Sequence, residues 1–180
     1  MNNVKSFFIV EFKSIPTGYF FVNSLVQKLL PEASKVIEIF VQAPAKLVLI
    51  FETTRPIDAI GLLKKNKKGI LDSYHLEGDH KDLLKAFYGH VTPILSESVI
   101  VLETKTLASC FKICKLACEN PNIAIIEIDS GRALNGKAIA YLTGPQTDCE
   151  KFKKLMKSKH ISVEVLNEMP LPIRSLWAAQ

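Results

Sequence analysis

The chain has 180 residues, 48% of them hydrophobic and 23% charged, with a formal net charge of +5. That balance is too apolar for intrinsic disorder and supports a real core, while the length admits one large domain or two small ones. It has no uncharged apolar run of eighteen residues, and its start, from Met1 to Ser6, lacks the layout of a secretory signal, so a cytosolic protein is expected.

In chain order, a β-rich strand is predicted over Val4–Lys13, followed by a helix from about Pro16 to Leu30, where proline is acceptable in the first turn. Strands follow over Val36–Gln42 and Lys46–Phe51. A second helix opens at Pro56, and a last strand covers Ile70–Leu76. Asp79–Gly89 reads as a short linking helix with a glycine stop, and Val91–Ser98 leads onward.

The same order then returns. A strand at Val99–Lys105 precedes a helix on which Leu107, Cys110, Phe111, Cys114, Ala117 and Cys118 share one face, while Lys112, Lys115 and Glu119 point away. Strands at Ile123–Asp129 and Lys137–Thr143, a helix opening at Pro145 and a strand at Ile161–Leu166 complete it.

Two anchors support duplication. Phe8–Ser14 matches Ile100–Thr106 with Glu11 and Glu103 in register, 92 residues apart, and Lys46–Phe51 matches Lys137–Leu142, 91 residues apart. Each copy is thus a β-α-β-β-α-β unit, and the expected fold class is α/β in the α+β sense: two tandem ferredoxin-like domains, residues 1–92 and 93–180, with the boundary near Pro93. In such a unit one sheet carries both helices on a single face and leaves its other face and edges seeking cover.

The candidate chemistry has plain structural explanations. Cys110, Cys114 and Cys118 lack the spacing of short zinc or iron–sulfur motifs and are expected to fill core as reduced thiols, as is Cys149. His75-Leu76-Glu77-Gly78-Asp79-His80 reads as a polar turn, and His90 and His160 as surface residues. Glu11 and Glu103, at equivalent strand ends, are expected to meet a helix start or a neighbouring subunit. No phosphate-binding glycine loop, nucleophile elbow or dinucleotide fingerprint is present, so no enzyme is expected. The lysine clusters Lys64, Lys65, Lys67, Lys68 and Lys151, Lys153, Lys154, Lys157, Lys159 read as solvent faces of amphipathic helices, and nucleic acid is not an expected partner.

The opening strands, Lys46–Phe51, Lys137–Gly144 and the tail Met169-Pro170-Leu171-Pro172-Ile173-Arg174-Ser175-Leu176-Trp177 together resemble the tandem-domain shell proteins of bacterial microcompartments. The likeness covers nearly the whole chain and is nearest to the two-domain shell proteins of propanediol-utilising compartments. It implies a flat homotrimer with pseudo-sixfold symmetry in a cytoplasmic compartment shell. Its implied partners are its own copies, other shell proteins and small metabolites, with no membrane. A central pore would be lined by Gln42, Ala43, Pro44 and Ala45 of one loop and by Ser130, Gly131, Arg132, Ala133, Leu134, Asn135 and Gly136 of the other.

The resemblance has departures. The family's edge lysine falls on Gln27, with Lys28 adjacent, and on Glu119. Ala43 stands where the iron–sulfur relative has its cysteine, so no cofactor is expected. Two other readings of the same elements remain open here: a ferredoxin-like small-molecule-sensing regulatory protein, and a basic protein binding nucleic acid.

Overall fold

The computed structural model describes residues 5–29, 32–78, 81–91, 96–130, 136–159 and 161–167. By its contacts the chain divides into two compact units. Among the described residues, the first holds everything up to Gly78 together with Thr106–Ser109 and Gly136, and the second holds the rest.

In the first unit, strands β1 (Ser6–Phe12), β2 (Ser34–Gln42), β3 (Lys46–Thr53) and β4 (Ile70–Glu77) form an antiparallel sheet ordered β2-β3-β1-β4. Because side chains alternate across a strand, Phe8, Val10 and Phe12 share one face with their partners Phe51, Leu49 and Leu47. Helix α1 (Ile15–Leu29) brings Phe21, Leu25 and Leu29 to that core, and α2 (Pro56–Lys65) brings Ala59 and Leu62. Phe8 stacks on Phe51 at 5.0 Å and on His75 at 4.3 Å. The opposite face is buried as well, at Phe7, Ile9, Glu11, Val48 and Ile50.

The helix ends follow local rules. Pro56 opens α2, where its missing N–H is harmless, Asp58 lies in the first turn and Lys64 and Lys65 in the last, which complements the helix dipole. A short 3₁₀ turn at Lys67–Gly69, absent from the sequence reading, carries the chain into β4.

The second unit repeats the plan with β5 (Ser98–Thr104), β6 (Ala124–Asp129), β7 (Ala138–Gly144) and β8 (Ser162–Asn167), ordered β6-β7-β5-β8. Helix α5 (Gln146–Ser158) lies on β8, β5 and β7 and buries Cys149, Phe152 and Met156. The linking helix α3 (Lys81–Phe87) packs on β6, and Gly89 ends it at φ +69°, a conformation that suits glycine. On α4 (Leu107–Ala117), Cys110, Phe111 and Cys114 are fully buried, with Phe111 edge-on to Phe87 at 5.6 Å. The sequence reading placed Cys118 on that packed face, but α4 stops at Ala117 and Cys118 is exposed.

The fold class is therefore the expected one: two α+β units, each with a four-stranded antiparallel sheet and helices in β-α-β-β-α-β order. The copies share fine detail. In each, the second strand carries a bulge, between Val36 and Glu38 in β2 and between Ile125 and Glu127 in β6, opposite the equivalent residues Phe51 and Leu142.

Gly18 marks a close approach of α1 to the sheet, since a Cβ there would collide with the Leu47 side chain. Gly18→Ala is expected to cost about 1–3 kcal/mol through overpacking, read as a lower urea midpoint with an unchanged slope.

Candidate functional site

The strand ends in the first unit converge on one buried carboxyl group. Register places Glu11 beside Val48 on β3 and Asp72 on β4, on the sheet face opposite the α1 and α2 core. Glu11 is fully buried; its Oε1 accepts the Ala108 N–H at 2.9 Å. The carboxylate thus sits at the start of α4, whose first turn has no acidic residue of its own and whose free N–H groups attract negative charge.

Asp72 serves the same turn, accepting the hydroxyls of Thr106 and of Ser109, the latter at 2.7 Å. Thr106 in turn accepts the Ser109 N–H at 3.1 Å, as a hydroxyl N-cap does. Thr106–Ser109 belong by their contacts to the first unit.

Lys46, the first residue of β3, links this carboxyl to the loop between β6 and β7. Its Nζ lies 3.7 Å from Glu11 Oε2, too long for a hydrogen bond, and donates to the Gly136 carbonyl at 3.1 Å. Gly136 has φ +77°, and a Cβ there would run into the Ala43 carbonyl oxygen. A residue with a side chain is therefore excluded twice, by backbone conformation and by space.

Burial raises the Glu11 pKa to about 7; the N–H groups of Ala108 and Leu107 and the Lys46 charge pull it down, while Asp72 pushes it up. Burial wins because Oε2 has no hydrogen bond to stabilise the ion.

Of the predicted loop residues, Gln42 is buried, Ala43 half-buried, and Pro44 and Ala45 exposed at the hairpin tip. The Ala43–Pro44 peptide bond is cis. Ser130 and Gly136 are buried, and Gly131, Arg132, Ala133, Leu134 and Asn135 lie outside the described residues. The two loops do meet at one point, through Ala43, Lys46 and Gly136. Gln27 and Lys28, in the last turn of α1, and Glu119, just past α4, are all exposed.

The second copy treats its equivalent pair differently. Glu103 and Lys137 bind each other at 2.9 Å with 42% and 51% of their side chains exposed, against 0% and 15% for Glu11 and Lys46. Sequence reasoning singled out both glutamates but missed Asp72, Thr106 and Ser109. A hydroxyl residue just before an apolar helix was a readable cap signal, whereas Asp72 is recruited across 34 residues by folding alone.

His75 stacks on Phe8, and its Nε2 lies 4.0 Å from Glu77; Asp79, His80 and His160 lie outside the described residues. Among the described residues no group of three or more metal-ligating side chains occurs, and no helix is long and apolar enough to cross a membrane.

No protein-family model matches the chain, and no curated protein matches it in sequence. In structure it is similar to a microcompartments protein from Desulfitobacterium hafniense DCB, with a TM-score of 0.73 and 19% identity over 95% of this chain and 98% of that one. The fold of that protein is thus shared over nearly the whole length. A protein from Bacteroides thetaiotaomicron (TM-score 0.31, 12% identity, 90% and 92% covered) and an acetolactate synthase small subunit from Thermotoga maritima (TM-score 0.28, 14% identity, 93% and 99% covered) superpose too poorly to carry an argument.

The raised pKa of Glu11 gives a pH signature. The unfolded chain releases this proton near pH 4.5 and the folded chain near 7, so folding binds more protons in between. The contribution is fully present below about pH 4.5, is lost as pH rises to about 7, and is flat above; its size is at most about 3 kcal/mol. Urea unfolding across pH 4.5–8 checks this, and Glu11→Gln is expected to flatten that part of the profile.

Proposed function

We propose that this chain is a structural, non-enzymatic shell protein of a bacterial microcompartment. Three copies close into a pseudohexameric ring around a pore for small metabolites. The observation that carries the reading is the end-to-end structural similarity to a microcompartments protein, both units included. Duplication supports it: a tandem unit needs only three copies to present six similar wedges, and ring closure hides strand edges that would otherwise pair without limit.

In this reading residues 1–92 and 93–180 are the two wedges, and the loops Gln42–Ala45 and Ser130–Gly136 face the pore. Arg132 would recur three times about the axis and favour anions by direct charge attraction. Gln27, Lys28 and Glu119 would lie at the rim, toward other shell proteins. The partners are copies of itself, other shell proteins and metabolites, in a cytoplasmic compartment of which the propanediol-utilising type is the proposed example.

Light scattering during size exclusion at two concentrations tests the ring. Three times the 20.1 kDa chain mass, or a stacked pair of such rings, is expected; a stable monomer or dimer overturns it. For the pore, Arg132→Ala is expected to reduce anion conductance across a planar bilayer, and unchanged anion passage overturns the role of Arg132.

A further inference from the structure

We propose that the exposed pair Glu103 and Lys137 is a docking surface for a second copy of this chain, and that it receives the start of that copy's α1, Ser14–Tyr19, together with the carbonyl of its Ala45. The choice of partner rests on the ring reading above; the choice of surface rests on a comparison of the two repeats.

The first unit shows the occupied form of the contact. Glu11 accepts the N–H of Ala108, Lys46 donates to the carbonyl of Gly136, and Asp72 holds the hydroxyls of Thr106 and Ser109. The receiving residues come from the end of β1, the start of β3 and β4. Every residue they receive comes from the segment that opens α4 or from Gly136.

The second copy places equivalent residues in the same register, and among the described contacts Glu103 accepts no helix N–H. Glu103 pairs with Ile139 on β7 as Glu11 pairs with Val48 on β3, and Ser162 stands beside Glu103 where Asp72 stands beside Glu11. Glu103 and Lys137 turn to each other and remain about half exposed.

The complementary part is the equivalent segment of the first copy, where Pro16 and Tyr19 are exposed and Ser14, Ile15 and Thr17 half-buried. Ser14-Ile15-Pro16-Thr17 is the equivalent of Thr106-Leu107-Ala108-Ser109, with the same cap: Thr17 N–H donates to Ser14 Oγ at 3.4 Å as Ser109 N–H donates to Thr106. Its two hydroxyls bind each other at 2.8 Å, where the second copy's bind a carboxylate. Like α4, α1 has no acidic residue in its first turn, yet no carboxylate is supplied to it among the described contacts. Tyr19 is 54% exposed and Phe20 67%, whereas Phe111, at the position of Tyr19, is fully buried.

A positive helix start and an apolar ridge on one side, and an exposed carboxylate on the other, are complementary in charge. They lie on different parts of the chain, so the contact is heterologous and propagates from copy to copy until a ring closes. Two differences make it leaner than its internal counterpart. Pro16 has no N–H where Ala108 has one, so Glu103 is left with the Ile15 N–H and the Ser14 and Thr17 hydroxyls. Ser162 brings no charge where Asp72 does.

The test is disulfide trapping in a Cys118→Ser background, which removes the exposed native thiol. The double variant Ser14→Cys/Glu103→Cys is expected to give a ladder of covalent oligomers on mild oxidation, and either single variant none. A double variant with the wild-type native mass but no ladder overturns the proposal and leaves the ring standing. If the double variant loses that mass, Glu103→Gln decides: the proposal requires dissociation at about tenfold higher concentration than wild type, and unchanged dissociation overturns it. A wild-type chain that is monomeric throughout overturns surface and ring together.

Discussion

A carboxyl group buried in a sheet must find donors or give up its charge, and Glu11 does some of each. One oxygen takes the Ala108 N–H at the start of α4, while the other has a lysine at 3.7 Å and no hydrogen bond. This half-satisfied state fixes the order of everything near it. The first turn of α4 must present its amides to β1, Lys46 must reach past the carboxyl to the Gly136 carbonyl, and Gly136 must lie close enough to Ala43 that no side chain fits. A buried polar cluster gives less net stability than an apolar one, but it tolerates few alternative arrangements. Here that restriction falls on the two loops that the proposed function places at a pore.

Duplication gave two copies of one scaffold and left their surfaces free to diverge. Strand order, register and even the bulge in the second strand agree between copies. The helix after the first strand does not: α4 is packed with Cys110, Phe111 and Cys114, whereas α1 shows Tyr19, Phe20 and Val26 to solvent. Backbone hydrogen bonding constrains both copies alike, so change accumulates in side chains whose surroundings differ. The contrast between the buried Glu11 pair and the exposed Glu103 pair is one result.

Most of the fold was legible because two independent signals agreed. Periods of two and of about 3.6 residues marked the strands and helices, and each reading could be checked against its repeat. The misses have local physical causes. Cys118 continues the apolar spacing of α4, but the helix ends one residue earlier, so its face no longer matters. The 3₁₀ turn at Lys67–Gly69 is too short and too polar to show a period. At the site, the equivalence of Glu11 and Glu103 could be read, but their different fates could not, because burial of Glu11 depends on Asp72 and Thr106–Ser109 arriving from far along the chain.

The bulge in β2 also settles which residues the hairpin turns to each side. Val36 and Ile39 both pack on the helix-side core although they are three apart, because Ile37 is the extra residue between them. The alternation after that point is shifted by one step. Gln42 therefore lies opposite Lys46, buried on the face of Glu11, while Val41 is left 49% exposed. Were Ile37 paired in a regular ladder instead, these two would exchange places, with an apolar side chain beside the lysine and an amide toward the helices. The polarity at the mouth of the loop is thus a matter of parity, set by the one upstream residue that the ladder leaves unpaired.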